Sequence, residues 1–423
     1  MSGLLSLAEA RAVVLRSVAG ALPSEELPLA GALGRVLAED VVAAADVPPF
    51  ANSAMDGFAV RSGPAGRELR VVDESRAGRP ARRAGGDGEA VRISTGAPMP
   101  EGADAVVPVE RVTEGGDAVT LERDVARGAN VRLAGEDMRA GAVVLRARAV
   151  LGPGELGAAV AAGRAALACA RRPRVAIVVT GDELVAPGAP LAPGQIHNSN
   201  AILLEGLARR AGAETVAVGR ETGAATGAEP VAVGRETGAA PDGGETSAGV
   251  VGDDREATER VLSEALGAAD VVVVSGGVSV GPHDHVKPAL EALGVEERFW
   301  RVALKPGKPV WFGARDGTLV FGLPGNPVSA AVCFALFARP ALRALQGADP
   351  EPPRTATLGE DVERSPDREQ AVRIRLDGAM VATLTGPQGS HMLSSLAGAD
   401  GLALIPPGEG VLPAGAEISV EPM

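Results

Sequence analysis

The side chains best suited to chemistry sit in short loops that follow apolar runs. VVTGDEL at 178–184 places Asp182 and Glu183 directly after β-branched residues. SGGVSVGPHDHVK at 275–287 follows a second such run and gathers Ser275, Gly276, Gly277, Ser279, Asp284 and Lys287 in one loop. With no Cβ at its glycines, backbone N–H groups there can approach an anion closely. His283 and His285 flank Asp284, but no further histidine or cysteine stands near, so they read as loop residues rather than metal ligands. RVALKPGKPVWFG at 301–313 supplies Arg301, Lys305 and Lys308, and its Lys-Pro steps hold the backbone extended and aim the ammonium groups. GLPGNPVSA at 322–330 then runs from strand through Pro324, Gly325, Asn326 and Pro327 into a helix, whose N-terminus suits a small oxyanion. Acids at Glu183, Asp253 and Asp284, set against cations at Lys305 and Lys308, suit a Mg²⁺-bridged phosphate ester or anhydride.

A second group of polar loops lies nearer the N-terminus. PPFANSAMDGFAV at 48–60 holds Asn52, Ser53 and Asp56; RISTGAPMPEGADAVV at 92–107 holds Thr95, Gly96, Glu101 and Asp104; NVRLAGEDMRAG at 130–141 adds Arg132 and Asp137. Loops carried on a rigid scaffold are where binding groups concentrate. Gly152, Gly154 and Gly157 satisfy a dinucleotide-type glycine pattern, but Pro153 occupies the turn and no strand–helix–strand unit surrounds it. They read as helix-start glycines.

Composition narrows the possibilities. The 423 residues carry a net charge of −13, which argues against a coat for nucleic acid or anionic membrane. There are only three lysines, Lys287, Lys305 and Lys308, and five asparagines, Asn52, Asn130, Asn198, Asn200 and Asn326; tyrosine is absent. In a chain so rich in Ala, Gly and Arg, we read these survivors as marking places where chemistry refused a substitute. Cys169 and Cys333 stand alone, which excludes a disulfide scaffold and a thiolate zinc site and fits a reducing cytosol. Glu9 interrupts the first apolar stretch, so no signal peptide is expected. The longest apolar run, around 328–338, is expected to break at Pro340 before it could span a bilayer. A cytoplasmic protein is the expectation.

The positioning elements follow from periodicity. Ser6 and Glu9 form a capping-box signal, and Leu7, Ala10, Val14 and Val18 predict a helix ending near Gly20. Residues 49–137 have the texture of a small β-rich domain, and 151–170 predicts helix, packed against the first helix with the β-rich piece inserted between. From residue 172, continuous apolar runs at 175–179, 271–274 and 318–321 predict buried strands of a doubly wound parallel sheet, with its ligand at their carboxyl ends. After about residue 350, β-type patterning returns and predicts a small C-terminal β domain. GAETVAVGRETGAA at 212–225 recurs as GAEPVAVGRETGAA at 227–240; two copies are too few for a solenoid, and 212–250 reads as an inserted loop.

Taken in order, PPFANSAMDGFAV, STGAPMPEGADAVV, TGDEL, SGGVSVG, KPGKP and GLPGNPVSA closely resemble the molybdopterin molybdenumtransferase family, called MoeA in bacteria and related to the gephyrin E domain. The resemblance covers nearly the whole chain. It implies a homodimer with four subdomains per chain: a helical stalk and dimerisation domain (1–48 and 138–171), an inserted β-rich domain (49–137), a MogA-like α/β molybdopterin-binding domain (172–349) and a C-terminal β domain (350–423). It implies insertion of molybdate into adenylylated molybdopterin with release of AMP, assisted by Mg²⁺. The catalytic residues would be Asp56, Thr95, Glu183, Asp253, Asp284 and Lys305, with Glu183, Asp253 and Asp284 holding the metal. Arg132, Asp137, Ser275, Gly276, Gly277, Ser279, Arg301, Lys308 and Ser394 or Ser395 would bind substrate, and Pro324, Gly325, Asn326 and Pro327 would take molybdate; Arg368 aligns loosely. Arg301 stands where relatives often carry lysine, and Phe58 where tyrosine is common. The alternatives are the adenylylation step itself and a non-catalytic, gephyrin-like scaffold. Contacts with the adenylyltransferase and with downstream maturation enzymes are further expectations; nucleic acid and membrane are not.

Overall fold

The computed structural model describes residues 4–219, 247–252, 254–278, 284–352 and 354–423. Asp253, Ser279 and most of the duplicated segment lie outside them. The chain divides into two compact units, Glu26–Cys169 and the remainder, Met1–Glu25 with Ala170–Met423.

The larger unit is built on a seven-stranded sheet. Its order is Glu214–Val216, Arg174–Thr180, Val271–Ser275, Thr318–Leu323, Trp311–Arg315, Glu296–Trp300, and Gly249–Val251 also pairs with Arg174–Thr180. The first four strands are parallel, and Trp311–Arg315 pairs antiparallel with Thr318–Leu323 on one side and Glu296–Trp300 on the other. Both faces are covered, which explains the unbroken apolar runs. Val175, Ile177 and Val179 point to a core shared with helices Ser199–Arg210 and Pro327–Cys333, while Ala176 and Val178 point to one shared with Arg255–Ala268 and Val286–Ala292.

Three expectations change here. The first helix spans Leu7–Arg16, shorter than expected, with the capping box formed: Glu9 N–H donates to Ser6 Oγ at 3.2 Å and Ser6 N–H to Glu9 Oε2 at 2.8 Å. Its buried Leu7, Ala10 and Val14 pack with Phe334 and Leu342 in the α/β core. That later segment forms only a short helix, Pro153–Ala161, then a strand, Ala166–Ala170; Gly163, at φ +84°, stops the helix, and strand pairing overrides the helix preference of the alanines. Pro340 does not break the apolar helix. Pro327–Cys333 passes through a π-helical turn, Phe334–Ala338, into Arg339–Leu345, and the wider turn accommodates the missing N–H. The 19-residue rod is long and apolar enough to cross a membrane, yet 78% of its apolar window is buried, as in a core helix.

Residues 354–422 close into a five-stranded barrel. Glu369–Leu376 pairs with Val381–Leu384, which pairs with Arg354–Leu358, then Glu417–Pro422, then Gly401–Ile405, and this last strand returns to Glu369–Leu376. Leu358, Ile374, Ala403, Ile405 and Ile418 fill it. Leu304–Lys305 adds to the barrel edge at Glu369–Gln370, which tethers the KPGKP segment.

In the smaller unit a six-stranded sheet runs Ala105–Pro108, Gly57–Val60, Glu89–Ile93, Glu68–Ser75, Ala118–Leu121, Val112–Gly115. Phe58 and Val60 face one cluster and Ala59 and Val91 the other. Beside it, Val41–Val42 pairs with Val143–Leu145, and Leu37, Leu151, Ala159, Leu167 and Cys169 make a separate core around helix Pro153–Ala161. Among the described residues the stretch expected as a stalk is therefore mostly short ladders and turns, with two short α-helices, Leu7–Arg16 and Pro153–Ala161. The class is multidomain α/β with β-rich domains.

Candidate functional site

A cleft of about 460 Å³ opens where Arg174–Thr180, Val271–Ser275 and Thr318–Leu323 end, at their carboxyl termini. Its lining brings together three motifs that are far apart in sequence: Thr180 and Glu183, Ser275–Gly277, and Pro324–Pro327. His197 and Asn200 join them. Gly276 has φ +97° and Gly277 φ +64°. A Cβ on Gly276 would stand 2.8 Å from Thr180 O, and one on Gly277 would stand 2.6 Å from Val286 Cγ2. The turn therefore requires glycine twice. Its anion-cradling potential is narrower than expected, because the Gly276 N–H donates to Leu323 O at 3.1 Å. Ser275 is fully buried; its hydroxyl donates to Pro324 O at 3.3 Å and accepts from Asn200. Ser275 thus joins two loops and does not offer its hydroxyl to a ligand.

The basic segment is placed differently from expectation. Lys305 and Lys308 are exposed, and of KPGKP it is Pro309 that reaches the cleft lining. Gly307 packs on Cys333, whose Sγ lies 3.6 Å from Gly307 O and whose pKa is raised by burial. The Arg301 guanidinium stacks 4.0 Å from the Trp300 ring centroid, and Arg301 itself takes φ +72°. Lys287 lies 4.5 Å from the same ring and 2.8 Å from Glu297 Oε2, which also accepts from Trp311 Nε1 at 2.7 Å. Lys287 is therefore engaged with Trp300 and Glu297. Asp284 is half-buried just ahead of helix Val286–Ala292, and His285 caps that helix without a side-chain bond.

The C-terminal contribution also shifts. Asn326 Nδ2 donates to Ser390 Oγ at 3.3 Å, so Ser390 is the serine that meets the Pro-Gly-Asn-Pro turn. Ser394 is exposed on a 3₁₀ turn, and Ser395 is buried beneath it. The loop is held from inside by Arg373, which is completely buried. Its guanidinium donates to Ser395 Oγ and to the carbonyls of Pro387, Gln388 and Gly389 at 3.0–3.2 Å. Burial pushes its pKa down to about 10, which leaves it charged at neutral pH. Arg368 instead lies 3.5 Å from Asp367. The sequence pointed to Ser394 or Ser395, and nothing in it singled out Ser390 or Arg373.

In the smaller unit the three polar loops meet. Thr95 N–H donates to Asp56 Oδ1 at 2.9 Å, which joins two expected site residues directly. Ser53 N–H donates to Ala97 O at 3.0 Å and Gly96 N–H to Ser53 O at 2.8 Å, and Arg132 pairs across from Asn52. Asp56, Thr95, Arg132 and Asp137 are all exposed, with Asp137 N–H donating to Val47 O. Phe58 is fully buried below, and the Arg92 guanidinium covers its ring at 4.6 Å.

A magnesium site does not emerge from the described residues: they contain no group of three His, Cys, Asp or Glu side chains able to hold a metal. Of the two expected ligands among the described residues, Glu183 lines the cleft and Asp284 does not; Glu183 is exposed and folded back so that a Cβ on Gly181 would lie 2.5 Å from its Oε2.

Comparison with known proteins decides the family. Residues 5–163 match the MoeA N-terminal region (domain I and II), 243–344 a probable molybdopterin binding domain, and 355–423 the MoeA C-terminal region (domain IV). Molybdopterin molybdenumtransferase 2 of Mycobacterium tuberculosis (strain H37Rv) is 38% identical over 411 residues, covering 93% of this chain and 94% of the relative. The chain belongs to the molybdopterin molybdenumtransferase family. The family member from Haemophilus influenzae is 34% identical, covering 99% of this chain and 98% of its own. The solved structure of the molybdopterin biosynthesis moeA protein from Pyrococcus horikoshii OT3 superposes with a TM-score of 0.81 at 29% identity over 100% of both chains. The cleft described above falls within the family's molybdopterin-binding region for its Ser275–Gly277 and Pro324–Pro327 walls, whereas Glu183, His197 and Asn200 precede that match.

Proposed function

We propose that this transferase of molybdenum cofactor biosynthesis inserts molybdenum into adenylylated molybdopterin and releases AMP. The observation that carries the reading is the cleft at the strand carboxyl ends. One wall is the Pro324–Pro327 turn that opens the apolar helix, backed by Ser390, and another is the twin-glycine turn at 276–277. The first suits a tetrahedral oxyanion and the second admits the close approach of a large ligand. The two thiols of the pterin lose their protons and form two Mo–S bonds, and molybdate gives up one oxygen as water. Those atoms equal the water needed to cleave the phosphoanhydride, so molybdenum stays at its highest oxidation state and AMP leaves. Most of the gain would come from positioning two anionic reactants against fixed dipoles and cations. Lys305, Lys308 and Arg301 are proposed as the cations that neutralise the phosphoanhydride, and Asp56, Thr95, Arg132 and Asp137 as ligand contacts of the smaller unit. Glu183, with Asp253 and Asp284, would hold Mg²⁺, which would supply positive charge beside the phosphoanhydride. A cytosolic homodimer that meets the adenylyltransferase and the maturation enzymes is the proposed setting.

AMP release tests this directly. Adenylylated molybdopterin should yield AMP in a molybdate-dependent way, and ATP with unmodified molybdopterin should yield none. AMP release that ignores molybdate, or adenylylation from ATP, would overturn the reading; dimers with neither activity would favour a scaffold.

A further inference from the structure

Helix Ser199–Arg210 starts beneath the cleft, and its second residue ties the site together. Asn200 is only 7% exposed; its Nδ2 donates to Gly325 O at 2.7 Å and to Ser275 Oγ at 2.9 Å. A carbonyl oxygen only accepts, so the Gly325 contact fixes which end of the amide faces the loop. Both amide hydrogens are thereby engaged, one on the Pro324–Pro327 turn and one on the end of the Val271–Ser275 strand. Oδ1 is left buried without a donor. Leaving such an acceptor unpaired carries its full desolvation penalty, which offsets much of what the two donated bonds return. The position is therefore poorly explained by stability alone.

We infer that Asn200 is a positioning residue for the oxyanion: its amide latches the Pro-Gly-Asn-Pro turn to the floor of the cleft. The latch acts through Gly325 O, on the turn that faces Ser390, and so sets the width of the oxyanion pocket rather than the approach of the pterin or nucleotide. The inference rests on the placement of molybdate at Pro324–Pro327 proposed above.

Two variants test it. Asn200→Leu keeps the shape and removes both donors; Asn200→Asp keeps Oδ1 and turns a repelling oxygen toward Gly325 O. Each should raise the molybdate KM about ten- to a hundredfold, the scale of a displaced reactant, and leave the KM for adenylylated molybdopterin within about threefold. Asn200→Leu also leaves the Gly325 carbonyl without its donor, so its melting temperature should fall modestly, and it is the split between the two KM values that separates positioning from folding. If both KM values stay at the wild-type level, or rise together, the latch is wrong. Asn326→Ala in the same assay separates the two layers. A raised molybdate KM there with unchanged Asn200 variants overturns the latch alone, and no effect at Asn326 overturns the oxyanion placement itself.

Discussion

Gly276 shows how little freedom the site has at the level of single residues. Its φ of +97° and the closeness of Thr180 O mean that alanine meets both strain and a backbone clash. Gly276→Ala should lose about 1–3 kcal/mol in denaturant unfolding, together with most activity. Arg373 is the opposite case, a charge buried without a carboxylate because three carbonyls and a hydroxyl need its fork. Lysine cannot reproduce that fork. Arg373→Lys should lower stability by about 2–4 kcal/mol and raise protease cleavage within 387–395; cleavage at the wild-type rate would show that the loop holds itself. Sequence alone placed the glycines well, because a Ser-Gly-Gly after a strand has few conformations open to it. It could not place Arg373 or Lys287, since burial of a charge depends on partners such as Gln388 and Glu297 that only the fold brings near.

The same contrast holds for whole elements. Strands buried on both faces read clearly, as 175–179 and 271–274 did, because no polar residue interrupts them. Ala166–Ala170 did not, since alanine favours helix and only pairing makes it a strand. Pro340 misled for a similar reason: a proline signals a break unless a π-turn absorbs it. Asp270 governs how two strands start. Burial alone would raise its pKa, yet the Arg171 guanidinium, bidentate at 2.9 and 3.0 Å, and the Arg174 N–H at 2.7 Å hold it below the usual carboxylate value. A depressed acid contributes stability above its unfolded pKa and loses it as pH falls through the folded one. Asp270→Asn should therefore cost about 1–2 kcal/mol at pH 7, and the gap from wild type should narrow progressively as pH falls below about 4. A gap as wide at pH 3 as at pH 7 would contradict this.

On the scale of the molecule, Arg11 links three parts of the larger unit. It donates from Nε to Leu336 O at 2.9 Å and from Nη1 to Glu421 Oε1 at 2.6 Å, joining the first helix, the apolar rod and the barrel. Glu369 sits in the same region; burial raises its pKa, with Arg11 opposing and Glu421 reinforcing. A raised acid weakens the fold once the pH exceeds its folded pKa. Glu369→Gln should thus raise the melting temperature at pH 7 and leave it unchanged near pH 4; a drop at pH 7 would refute the sign. A multidomain α/β chain with β-rich domains was legible from texture and motifs, whereas the docking of the first helix was not, because amphipathic spacing names a face and not its partner. The most direct test of molybdenum insertion in this cleft is anomalous scattering at the molybdenum absorption edge, from crystals holding molybdate and AMP. Molybdenum should appear against the Pro324–Pro327 turn beside Ser390, and molybdenum elsewhere with that turn empty would contradict it.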